Sequence, residues 1–168
     1  MDRCRKMPAA WAGCLAALLA VPGAVRADDC APVTAAFEAQ ASAPTLSQTM
    51  TMQGRKMRSV FIGDTLHAEM EGVWKTVQMK PGGRLGMMRG MLGMAGGLSE
   101  CADLGTETLD GTKVRVLSYR PPAFPGAGPS GLQKIWIGLD DGLPYRLVGE
   151  VDGLEAVFAY KDVKAPAP

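Results

Sequence analysis

The residues with the clearest capacity for chemistry are thioethers. Met50-x-Met52 and Met87-Met88-x-x-Met91-x-x-Met94 gather six of the eleven methionines into two short stretches. Thioether sulfur is a soft ligand for Cu(I), and dense methionine spacing is what such a site needs. The same side chains are flexible and polarizable, so they also fill irregular cores or line pockets for apolar ligands of varied shape. Three readings compete: packing beneath a sheet, a lid over a lipid-like ligand built from Met87, Met88, Met91, Leu92, Met94 and Leu98, and a minority copper reading that adds Met50 and Met52. His67 is the only histidine, which weighs against copper and against any catalytic triad. The chain has no Gly-x-Ser-x-Gly elbow, no His-Glu-x-x-His and no phosphate loop. Asp140-Asp141 and Asp152-Gly153 stand in hairpin-turn context, where Asp and Gly serve the backbone. Neither an enzyme nor a cofactor is expected.

The second reactive type is cysteine, and its number depends on where the mature chain starts. Arg3, Arg5 and Lys6 precede an apolar run from Ala9 to Val21, then Pro22-Gly23, with Val25 and Ala27 as small residues before Asp28. That order predicts a cleavable signal peptide, residues 1–27, cut after Ala27, and a periplasmic location. Ala12-Gly13-Cys14 looks like the end of a lipobox, but most of the apolar run follows Cys14 rather than preceding it. No later stretch approaches the roughly 20 apolar residues of a membrane span.

Cleavage removes Cys4 and Cys14 and leaves Cys30 and Cys101 as an even pair in an oxidising compartment. A disulfide is expected, closing a loop of about 70 residues and stabilising by ~4 kcal/mol in the chain-entropy model. A redox or metal-binding thiol pair would show Cys-x-x-Cys spacing, which is absent. Cleavage also takes four basic residues and one acid, so 14 Lys and Arg face 16 Asp and Glu, a net charge of −2. No basic cluster remains to grip a phosphate backbone, and nucleic acid is not an expected partner.

These side chains need elements to position them. Val33, Phe37 and Ala41 form one stripe of a helix between Pro32 and Pro44. The period then becomes two: Leu46 to Gln53, Lys56 to Ile62, Leu66 to Met70 and Val73 to Met79 read as a four-strand meander turning at Gly63-Asp64 and Glu71-Gly72. Pro81-Gly82-Gly83 stops it. Leu85 to Leu98 has helical spacing diluted by glycines, which predicts a loose helix anchored at its far end by Cys101. Strands return at Thr106 to Leu109, Lys113 to Arg120, Leu132 to Gly138, Tyr145 to Val151 and Leu154 to Tyr160. A Pro/Gly loop spans Pro121 to Gly131. The expectation is α+β: one domain over residues 28–163, a single curved antiparallel sheet of about eight strands over an N-terminal helix and a Met-rich insert, and a frayed tail at 164–168. Trp74 and Trp136 are expected in the sheet wall, with Trp136 alternatively at the mouth of a pocket. His67, alternating with Leu66 and Ala68, should face solvent.

This order of elements, with Ile135-Trp136-Ile137, Gly142-Leu143-Pro144 and the closing Ala159-Tyr160-Lys161-Asp162-Val163, resembles the superfamily of the periplasmic outer-membrane lipoprotein carrier LolA and its relatives. The resemblance covers most of the mature chain. It implies a half-open β-barrel whose concave face is closed by helices and holds acyl chains or another apolar ligand. The function expected is therefore a non-enzymatic periplasmic carrier or sensor of lipid or lipoprotein acyl chains, monomeric and in at most peripheral contact with a membrane. The alternative is a module with a filled core that binds another envelope protein through a sheet edge or the Pro121 to Pro129 loop.

Overall fold

A computed structural model describes residues 30–93, 97–122, 130–151 and 153–167. The segment read as a signal peptide lies outside them.

Helix α1 (Ala31–Ser42) leads into β1 (Thr45–Met52), β2 (Arg55–Ile62), β3 (Thr65–Met70) and β4 (Val73–Gln78). Helix α2 (Gly83–Gly93) follows, then β5 (Ser99–Leu109), β6 (Thr112–Arg120), β7 (Gln133–Gly138), β8 (Pro144–Gly149) and β9 (Glu155–Ala159). The nine strands form one antiparallel sheet in the order β4-β3-β2-β1-β9-β8-β7-β6-β5, with β1 against β9 joining the two halves and neither end closing on the other. The fold class agrees with the expectation. Among the described residues the strands number nine, against an expected number of about eight.

The hairpins follow from turn chemistry. Glu71-Gly72 and Asp110-Gly111 both take positive φ at their two central positions, the type I′ geometry whose twist matches the flanking strands. The start of β5 departs from the expectation. It begins at Ser99, seven residues before Thr106, and Cys101 is part of the strand rather than a cap on the preceding helix. Register shifts fall between Ser99 and Ala102 and between Asp103 and Gly105, where Glu100 and Gly105 have positive φ. Such bulges break the period-two pattern that makes a strand readable.

Cross-strand partners share a face, so the ladder sorts the sheet. The concave face carries Leu46, Phe61 and Leu66 in one row and Leu147 and Ala156 in another. Helix α1 seals its C-terminal half: Val33 and Ala36 pack with Leu117, Tyr119, Ile135, Ile137 and Cys101. Burial follows the i, i+3, i+7, i+8 positions Val33, Ala36, Gln40 and Ala41, while Phe37 packs against the core at its edge, its ring 5.8 Å from that of Tyr119. Cys30 and Cys101 are disulfide-bonded, tying the start of α1 to the edge strand β5.

The convex face of the N-terminal half is polar. Arg58 pairs with Glu69 and lies 5.5 Å from the ring of Trp74, and His67 stands 3.0 Å from Thr76 Oγ1, on the face opposite Leu66 and Ala68 as expected.

The Tyr145 hydroxyl donates to Asp141 Oδ2 at 2.7 Å. That hydrogen bond, then burial, pushes the phenol up to about 12, and burial raises Tyr119 and Tyr160 as well. A folded pKa above the unfolded value of about 10 means the native state keeps a proton that the unfolded chain has lost. This contribution is complete below pH 10 and disappears as the pH rises through about 12. The urea midpoint should therefore fall between about pH 10 and 12, and Tyr145→Phe should flatten that fall. Identical pH slopes for the two proteins would show that this hydroxyl has no part in it.

Candidate functional site

Between the concave face and the two helices lies a cavity of about 540 Å³, within the roughly 300–1,000 Å³ of ordinary ligand sites. Its floor is the face that the ladder defines: Leu46, Gln48, Met50 and Met52 from β1, Ser59 and Phe61 from β2, Leu66 and Ala68 from β3, then Leu147, Ala156 and Phe158 beyond the β1–β9 seam. Phe37, Gln40 and Ala41 of α1 form one wall. Met87, Met88, Met91 and Leu92 of α2 form the roof, and Leu98, Tyr119 and Gln133 line the far side.

Two arginines tie the roof helix to α1. Arg89 Nε donates to Glu38 Oε1 of α1 at 2.7 Å, and Arg84 donates to the Gln40 carbonyl. A methyl group added at Gly86, Gly90 or Gly93 would meet nothing within 4 Å. These glycines thus answer no close packing.

The structure brings together most of the side chains singled out from the sequence. Met87, Met88, Met91, Leu92 and Leu98 all line the cavity, and Met50 and Met52 face them from the floor. Met94 lies outside the described residues.

Trp136 takes the first of its two expected places, in the sheet wall, and not the alternative one. It pairs with Val116 and Arg146 and so points to the convex side, where it packs with Val114 and Val116 and donates its indole N–H to Glu107. Arg146 lies 5.1 Å from its ring centre. It is a wall residue with no place at the cavity mouth.

Two features were not read from the sequence. The first is Arg84, which lines the cavity although only 5 % exposed. The second is that the cavity floor continues outward as an exposed, mostly apolar face that also carries Lys75. Met57 lies opposite Met50, and Met70 and Val77 share that face through Val73 and Leu66; Met57, Met70, Val73 and Val77 are all exposed. Patches of this kind, continuous with a pocket, serve for contact with ligands, proteins or membranes.

A single open antiparallel sheet holding two helices against its concave face, with an apolar space between them, defines the class of fold, which solved structures share. Among solved structures, lipoprotein LppX of Mycobacterium tuberculosis superposes with a TM-score of 0.50 at 13% identity, over 83% of this chain and 97% of its own. LprF of Mycobacterium bovis gives 0.49 at 14% identity, over 84% of this chain and 95% of its own. The LolA superfamily protein NE2245 of Nitrosomonas europaea gives 0.30 at 11% identity, over 86% and 96%. The likeness to LppX is one of fold, and at such identity it assigns no ligand. No protein-family model and no curated protein matches the sequence.

Proposed function

We propose that this chain is an exported, non-enzymatic binding protein that carries or senses lipid-like molecules, taking acyl chains between its Met-lined roof helix and the sheet. The observation that carries this reading is the open apolar cavity of about 540 Å³ beneath Met87, Met88 and Met91. A module that only bound proteins would gain stability by filling that space, since voids forfeit dispersion contacts. The thioether roof suits chains of varied length and unsaturation, because methionine repacks at low cost. The disulfide is consistent with an oxidising compartment and with removal of residues 1–27.

Copper is disfavoured by an observation inside the same cavity. The Met50, Met52, Met87, Met88 and Met91 thioethers share their space with the Arg84 guanidinium, and a like charge opposes cation entry.

Native mass spectrometry of protein purified from the periplasm, together with titration of a fluorescent acyl probe, tests the carrier reading. Co-purifying lipid and saturable probe binding are expected. If no lipid co-purifies and the probe fails to bind, the reading is wrong.

A further inference from the structure

Among the described residues Arg84 is the one charged side chain lining the cavity, and its surroundings do not neutralise it. Its Nη2 donates to the Gln40 carbonyl oxygen, and the guanidinium carbon lies 4.8 Å from the centre of the Phe61 ring. Neither partner is an anion. Among the described residues Arg58, Arg89, Arg115, Arg120 and Arg146 each have a carboxylate partner, and all five of these pairs lie at the surface. Arg84, the buried one, has none within ion-pair distance.

A guanidinium presents five N–H donors. No fully buried side-chain nitrogen among the described residues lacks a partner, so the Arg84 nitrogens without one retain access to solvent space, and the space this residue lines is the cavity. Burial holds its pKa below the ordinary arginine value, opposed by Tyr160 and Asp64. The charge is thus held in partly desolvated surroundings at a cost, and an incoming anion would offset that cost.

Position matters as much as charge. Arg84 stands in the first turn of α2, and Met87, Met88 and Met91 succeed it along the helix. A rise of 1.5 Å per residue puts Met91 about 10 Å further along the roof. The charge therefore stands at the start of a roof that continues in thioethers, which is the pattern of an amphiphile.

We infer that the ligand carries a single anionic headgroup, a carboxylate or a phosphate, bound by Arg84, with its acyl chain running beneath Met87, Met88 and Met91. The planar fork of a guanidinium pairs with either group in bidentate fashion. This inference rests on the acyl-binding reading above and narrows it to anionic lipids.

The test is competition against a neutral fluorescent probe, N-phenyl-1-naphthylamine, on the mature disulfide-bonded protein. The competitors are oleate, 1-oleoyl lysophosphatidate, methyl oleate and oleyl alcohol. The first two should displace the probe at about tenfold lower concentration than the neutral pair, as expected of a charge-assisted bidentate contact. Arg84→Gln should bring all four within about twofold of one another, and Arg84→Lys should restore part of the gap. A preference for only one of the two anions supports the inference and names the headgroup. Equal displacement by acids and neutral lipids in the wild type overturns the inference while leaving the acyl carrier in place. Failure of all four, or of the probe itself, overturns both. The wild-type comparison decides the matter even if Arg84→Gln does not fold.

Discussion

Replacing both Cys30 and Cys101 with serine should lower the free energy of unfolding by about 4 kcal/mol. The bond joins residues 71 apart in sequence, and the loss of unfolded-state entropy grows with the logarithm of that separation. Cys30 begins α1 and Cys101 lies in the strand at one end of the sheet order, so the bond holds the helix across the concave face whose cavity it walls. For a domain of this size the loss corresponds to a fall of roughly 10–20 °C in Tm. Circular dichroism melts of the double variant, and of the wild type in excess reductant, should coincide. A double variant that melts within about 2 °C of the oxidised wild type would show that the bond does not staple the fold. The double replacement is preferable to a single one, which leaves a thiol free for intermolecular pairing.

Ala68→Trp should weaken acyl-probe binding by at least about tenfold while the protein stays folded. Ala68 lies on β3 opposite Ser59, and both line the cavity floor. The position is half-buried, so the indole enters open space rather than the packed core around Val33, and the overpacking penalty of about 1–3 kcal/mol for filled sites is largely avoided. A control comes from the same strand. His67 is the next residue and projects from the opposite face, so His67→Phe should bind the probe as the wild type does. Equal affinity for Ala68→Trp and wild type would place the ligand elsewhere.

Local rules made much of this architecture readable from the chain. Alternation in Leu46 to Gln53 and Leu66 to Met70 named strands. Glu71-Gly72 named a turn because few other residues tolerate positive φ at both central positions. The even cysteine pair named the disulfide, and the spacing of Met87, Met88 and Met91 named a helix with one apolar side. Each of these depends on neighbours a few residues apart, or on counting.

Other features depend on what the chain meets after it folds. Two bulges hid the first residues of β5, because an extra residue inverts the alternation that marks a strand. Ile135-Trp136-Ile137 is apolar on both sides of the sheet, so only pairing with Val116 and Arg146 shows that Trp136 lies on the convex side. Arg84, a lone cation ahead of a glycine-rich segment, looks solvent-exposed until α1 supplies the Gln40 carbonyl and β2 the Phe61 ring. By itself the sequence determined the strands, the turns, the disulfide and a methionine-rich helix, through periodicity and backbone preference. Only the tertiary structure decided that the space beneath that helix is open and carries one buried charge, because cavity volume and desolvation are set by the distance between elements far apart in the chain.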